Sequence, residues 1–170
     1  GAVAVLVSAC DAARVLQRSP IHILGFGQGH PGSPRQRPFE NDVTTGAALA
    51  KDTAFTMAGV RLADIQLAQL YDAFTLMTLV ALEEYGFCPR GHAGSFVREG
   101  GIAPGGMLPV NTGGGQLSGF YLQGMTPLVE AIVQLRGDAG ERQCTRHELA
   151  LVTNEGGHFD HHACVVLGRA

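Results

Sequence analysis

The apolar positions of the chain change period repeatedly, and each change predicts an element boundary. Ala2 to Ser8, small and β-branched, predicts a buried strand, and Asp11 stands where it can cap a short helix ending near Arg18. Pro20 interrupts, Ile21 to Phe26 predicts a second strand, and the glycines and prolines from Gly27 to Pro38 predict a long loop. Thr44 or Thr45 can cap a helix whose apolar face is Ala47, Ala48, Phe55 and Ala58, with Gly59 as its stop. Ile65 to Leu70 reads as a strand. Asp72 then offers a cap to a helix over Phe74 to Tyr85, ended by Gly86. Leu76, Met77, Leu79, Val80 and Leu82 leave that helix almost no polar face, so it is expected to be covered on more than one side.

Gly91 to Gly106 reads as glycine-punctuated loop, Met107 to Val110 as a short strand, and Asn111 to Gly124 carries five glycines ahead of another helix. Thr126 and Pro127 mark that helix's cap and first turn, Leu128, Val129, Ile132, Val133 and Leu135 its inner side, and Gly137 its end. Glu148 to Thr153 and Ala163 to Leu167 are strands too close together for a crossover helix, so they are expected to pair antiparallel at one edge of a mixed sheet. Alternating strands and helices define a layered α/β domain.

The chain has 170 residues, enough for one domain with a sizeable core. Apolar residues are 45% and charged residues only 16%, a balance expected where surface is lost to a partner. The net charge of −3 offers no basic excess for a phosphate backbone, so nucleic acid is not an expected partner. No stretch approaches the roughly 20 apolar residues of a membrane span. Cysteines 10, 88, 144 and 164 are far apart with no C-x-x-C, so reduced thiols and a cytoplasmic location are expected. The chain starts at Gly1, as expected of a piece of a longer protein. Lys51 is its only lysine, so imine chemistry would have to run through it.

Gly25, Gly27 and Gly29 follow a strand but fail as a dinucleotide fingerprint. His30 replaces the third spaced glycine, and Pro31 and Pro34 forbid the helix that would hold a pyrophosphate. His158, His161 and His162, with Asp160, resemble a metal cluster, yet adjacent His161 and His162 point to opposite faces of a strand, and no metal site is expected. The strongest feature is the run from Pro109 to Ser118, PVNTGGGQLS, followed by Tyr121 and Gly124. Its glycines either expose amide N–H groups to a developing oxyanion or merely permit tight loop packing.

The order of PVNTGGGQLS before GMTPLVEAIVQLRG, preceded by LYDAF and LEEYGF and followed by LVTNEGG, is similar to the C-terminal half of thiolase-fold proteins of the sterol-carrier or lipid-transfer branch. The resemblance covers nearly the whole chain. It implies one thiolase-like layered α/β/α domain over residues 1–170 with a mixed five-stranded sheet, the N-terminal half being absent. It further implies an acyl-CoA substrate, coenzyme A entering as part of that substrate with no covalently bound cofactor, and a homodimer.

Two departures change the expected chemistry. Thiolases have a Gly-His-Pro histidine after the glycine loop, whereas this chain reads Gly119 to Gly124 with Tyr121 there and no histidine. Near the terminal glycine pair, where thiolases carry an acid/base cysteine, it has Thr153, Asn154, Glu155, Gly156 and Gly157. Covalent thiolysis needs both groups, so ordinary acetyltransferase activity is an alternative rather than the expectation. Retro-aldol cleavage needs only a base for a β-hydroxyl, an oxyanion site and an acid.

Tyr71 and Tyr121 are the candidate proton carriers, and Asn111, Gly113, Gly114, Gly115, Gly156 and Gly157 the candidate oxyanion and substrate-binding residues. The other reading of each tyrosine, stronger for Tyr71 than for Tyr121, is a half-buried core residue with its hydroxyl on main chain. The GGGQLS-x-x-Y loop resembles that of steroid side-chain aldolases acting on acyl-CoA. That resemblance implies a small zinc-ribbon and OB-fold partner protein. A non-catalytic acyl-CoA or lipid carrier is the other reading that loss of histidine and cysteine permits.

Overall fold

The computed structural model describes residues 1–13, 18–31, 45–157 and 161–169. The end of the first helix before Arg18, most of the loop to Pro38, Thr44, His158 and Asp160 lie outside the described residues. Among the described residues four strands form one sheet: β1 (Ile21–Gly29), β2 (Leu67–Gln69), β3 (Leu149–Gly156) and β4 (His161–Arg169). Their order is β1-β4-β3-β2, with β2 parallel to β3 and the other two pairings antiparallel. The sheet is mixed, as expected. The β3–β4 hairpin lies at its centre, not at one edge, because β1 pairs with the far side of β4. Of the expected fifth strand, only a parallel bridge of Val110 to Ala68 forms beside β2.

Helices α2 (Ala47–Ala58) and α3 (Thr75–Tyr85) cover one face of the sheet, and α5 (Met125–Arg136) the other. Alternation along β3 sends Leu151 into the first core and Ala150 and Val152 into the second. The fold is thus the expected layered α/β arrangement. Two short helices complete it, α1 (Cys10–Ala13) and α4 (Ala93–Arg98). The latter falls within the stretch read as loop, because its six residues are too few to outweigh the flanking glycines.

The glycine run has a packing purpose. A Cβ on Gly25, Gly27 or Gly29 would strike the backbone of Ala54, Ala50 or Gly46, so glycine lets α2 lie directly on β1. The strand therefore runs on to Gly29, past the expected end at Phe26. Thr45 Oγ1 accepts the Ala47 N–H at 3.0 Å, and Gly59 closes α2 in the left-handed region at φ 65°. Ala50 and Ala54 take the inner face of α2, whereas Ala48 is exposed.

Three further expectations are corrected. Ala2 to Ser8 forms no strand, and Leu6 and Val7 are 87% and 70% exposed, because no described strand lies beside them to complete a ladder. Helix α3 starts at Thr75, beyond the reach of Asp72, and is buried along Met77, Ala81, Leu82 and Tyr85 while Phe74 and Leu76 stay exposed. The inner face of α5 includes Glu130 and Gln134 beside Ala131 and Leu135.

Candidate active site

Tyr71 follows β2 and is pinned from two sides. The Leu70 N–H donates to Asn111 Oδ1 at 2.7 Å and the Tyr71 N–H to Thr153 Oγ1 at 3.1 Å. Beside it, buried Asp72 accepts the Gln116 N–H on Oδ1 at 2.8 Å. Asp72 therefore anchors the glycine loop rather than capping a helix. Left-handed Gly115 (φ 60°) makes this approach possible, since a side chain there would collide with the Asp72 carboxylate.

The loop is also tied to α5. Thr112 donates to Glu130 Oε1 at 2.8 Å and accepts from the Gln69 and Gln134 amides at 3.0 Å each. Arg142 closes this network with an ion pair to Glu130 at 3.0 Å. Sequence reasoning missed Glu130, Gln134 and Arg142. The available signal was the pair of polar residues four apart on the buried stripe of an amphipathic helix.

Tyr121 is set by Thr126, whose hydroxyl accepts the Leu122 N–H at 3.0 Å and donates to the Phe120 carbonyl at 2.9 Å. Thr126 lies inside the first turn of α5, whose cap position is Gly124, so instead of capping the helix its hydroxyl straps both neighbours of Tyr121. The Tyr121 ring is 56% exposed, and its hydroxyl lies 3.2 Å from that of Tyr71. The two candidate proton carriers meet each other.

Burial, the bond to Tyr121 and the charges of Tyr121, Glu155 and Asp72 push the Tyr71 phenol up to about 12. At neutral pH Tyr71 keeps its proton, so its hydroxyl is able to donate to that of Tyr121.

The remaining candidates are distributed differently. Asn111 (φ 50°) spends Oδ1 on Leu70, so of its side chain only the Nδ2 amide can serve an oxyanion. The Gly114 N–H donates to the Asn111 carbonyl at 2.8 Å, and Gly113 and Gly115 lie against the carboxylates of Glu130 and Asp72. Gly156 pairs with His161 at the end of β3, and Gly157 occupies the turn beyond at φ 68°.

His161 is exposed and His162 buried, on opposite faces as the spacing implies. Among the described residues no three His, Cys, Asp or Glu side chains converge as a metal site. Lys51 is half-buried and donates to the Tyr85 carbonyl at 3.2 Å.

The glycine loop and the layered mixed sheet are those of a thiolase-type domain. Residues 35–169 match the family described as thiolase C-terminal domain-like, and the chain belongs to that family. It is 42% identical over 144 residues to the 17-hydroxy-3-oxo-4-pregnene-20-carboxyl-CoA lyase of Mycobacterium tuberculosis, covering 81% of this chain and 36% of the relative. It is 36% identical over 141 residues to a steroid side-chain-cleaving aldolase of Thermomonospora curvata, with the same coverage, 81% and 36%. Among solved structures, the Ltp2-ChsH2(DUF35) aldolase superposes with a TM-score of 0.83 at 34% identity, over 94% of this chain and 42% of that one. The chain thus spans just over a third of the length of these curated relatives. No helix among the described residues is long and apolar enough to cross a membrane.

Proposed function

We propose that this chain is the C-terminal half of an acyl-CoA aldolase that cleaves or forms a C–C bond beside the thioester by retro-aldol chemistry. The observation that carries this reading is the 3.2 Å contact between the Tyr71 and Tyr121 hydroxyls. Tyr121, the more exposed, takes the proton of a β-hydroxyl. Tyr121 does so as the phenolate, and Tyr71 supports that form by donating to its charged oxygen, a charge-assisted bond worth roughly 1.5–3 kcal/mol. Scission releases an aldehyde or ketone and the enolate of the thioester, and protonation of the enolate carbon returns the proton. The net reaction moves one proton from oxygen to carbon. The names of the two curated relatives, a carboxyl-CoA lyase and a side-chain-cleaving aldolase, agree with this chemistry.

Residues 1–170 act here as one domain that supplies one wall of the site. A preceding thiolase half supplies the other, and the assembly is a homodimer. Phe74, Leu76, Leu117 and Phe120, within five residues of one or other tyrosine in sequence, are exposed and are the surface this half offers to acyl-CoA and to the missing half. A small zinc-ribbon and OB-fold protein is the further partner. Asn111 and Gly113 to Gly115 face the thioester from the loop, and Gly156 and Gly157 from the end of β3. Coenzyme A enters as part of the substrate. The cysteines at 10, 88, 144 and 164 are all unbridged, which supports a reducing, cytoplasmic location.

The test is release of an aldehyde or ketone from β-hydroxyacyl-CoA thioesters by the full-length protein. Tight binding across a panel of such thioesters without turnover would replace the aldolase with a carrier.

A further inference from the structure

Near its end, β3 carries a side chain that the reaction above does not use. The Thr153 hydroxyl holds the main chain of Tyr71, and the next residue, Asn154, points to the opposite face, the α5 side that Ala150 and Val152 also line. There its carboxamide meets the residue that opens α5, for a Cβ on Gly124 would strike Asn154 Nδ2. Gly124 stands three residues after Tyr121, and its φ of −59° and ψ of −12° suit any residue. What glycine provides at this position is therefore room for the carboxamide. Asn154 is bracketed by the two tyrosines: its own strand fixes Tyr71 through Thr153, and the segment it touches carries Tyr121.

The two ends of that carboxamide are told apart by what they meet. The Glu155 N–H donates to Oδ1 at 2.9 Å, and only the oxygen can accept it, so Nδ2 is left as the free end. Asn154 is exposed, and among the described residues its Nδ2 has no acceptor. Asn111 shows the same division, with Oδ1 spent on the Leu70 N–H and Nδ2 open. We propose that Asn154 Nδ2 donates to the thioester oxygen of acyl-CoA beside the tyrosine pair, and so stabilises the enolate. As the C–C bond breaks, its electron pair passes to the α-carbon and the negative charge gathers on that oxygen. A donor already fixed in place stabilises this charge without reorganising. A neutral carboxamide neither takes nor gives up a proton, so the proton transfers stay with the tyrosines. The inference rests on the acyl-CoA reading above, and one of its measurements needs no turnover.

Asn154→Asp separates the two ends of the side chain. It keeps the shape and an oxygen for the Glu155 N–H, but it loses both N–H donors. A residue that only ties down the strand end tolerates that change, whereas a donor to the thioester does not. The probe is acetyl-CoA with carbon-13 at its carbonyl, bound to the full-length protein. Its resonance is expected downfield of the free thioester, as for a hydrogen-bonded carbonyl, and is expected to move back toward the free position in Asn154→Asp. Gly124→Ala, which pushes the carboxamide aside and leaves Asn154 itself intact, is expected to move it the same way. With a β-hydroxyacyl-CoA, kcat of Asn154→Asp is expected to fall at least about 100-fold, with little change in KM or in melting temperature. A parent resonance equal to that of the free thioester, a resonance that Asn154→Asp leaves in place, or an unchanged kcat in that variant overturns the proposal. If the parent protein binds the thioester but releases no carbonyl product from β-hydroxyacyl-CoA, the retro-aldol reading fails instead, and the carbonyl resonance still decides what Asn154 does.

Discussion

Tyrosines that act as one unit give a non-additive pattern when removed singly and together. Tyr121→Phe deletes the proposed proton carrier and should lower kcat by about 100-fold to 10,000-fold, the range for a general acid or base. Tyr71→Phe deletes the donor 3.2 Å away, so its effect is the loss of one charge-assisted hydrogen bond. At roughly 1.5–3 kcal/mol, that bond corresponds to a fall of about 10-fold to 150-fold. The double variant has no charged Tyr121 oxygen left for Tyr71 to support, so it should be no slower than Tyr121→Phe alone. The assay is single-turnover release of the carbonyl product from a β-hydroxyacyl-CoA by the full-length protein. Thermal melts verify that each ring still packs. Effects that multiply, with the double variant slower than Tyr121→Phe by the full Tyr71→Phe factor, refute the paired mechanism. Unchanged kcat with a lowered melting temperature in Tyr121→Phe would remove that residue from catalysis altogether.

Glu130→Ala leaves the Thr112 hydroxyl and Gln134 amide without their shared acceptor; at about 1 kcal/mol each, plus a further fraction for an ion pair whose Arg142 end is 48% exposed, about 2–3 kcal/mol should be lost in denaturant unfolding. Gly27→Ala drives a methyl group into the Ala50 carbonyl and should cost about 1–3 kcal/mol, whereas Gly94→Ala, in open space, should cost far less; equal melting temperatures would contradict the packing role of the β1 glycines. Tyr71 and Tyr85 both hold their protons more tightly folded than unfolded, so their stabilisation is complete below about pH 10, the unfolded tyrosine value, and is lost as pH rises toward about 12 and beyond. Melts of the parent protein and Tyr85→Phe across that range should show a weaker alkaline decline in the variant. Residues 1–170 expressed alone should show no turnover, and activity of the isolated half would contradict a site shared with the missing half.

What the sequence disclosed and what it concealed divide along a physical line. The helix stops at Gly59, Gly86 and Gly137 were legible because a left-handed closing residue is a local demand, and all three lie at φ 65° to 85°. The central place of the β3–β4 hairpin was not, since it depends on where β1 docks, which no local pattern records. Asp72 looked like a cap because Asp before a helix usually is one. Its partner, the Gln116 N–H, is 44 residues away and becomes reachable only through the left-handed turn at Gly115.

The same line runs through the site. Tyr71 and Tyr121 could be picked out singly, as phenols beside a strand end and a glycine loop, yet a lone phenol is a weak base, and the supporting donor that Tyr121 needs was not visible in its own neighbourhood. It comes from 50 residues earlier, delivered by two independent clamps: Thr153 and Asn111 fix the strand end that carries Tyr71, and Thr126 fixes the segment that carries Tyr121. Each clamp uses a short polar side chain to bond main chain, so neither tyrosine depends on its own hydroxyl for placement. That independence is what leaves both hydroxyls available for chemistry. It also predicts a separation of effects: Thr126→Val, nearly equal in volume, should lower kcat by releasing Tyr121 while leaving the Tyr71 titration near that of a Tyr121→Phe protein, whereas a loss of activity without release of the 120–122 segment in hydrogen exchange would show that Thr126 acts by some other route.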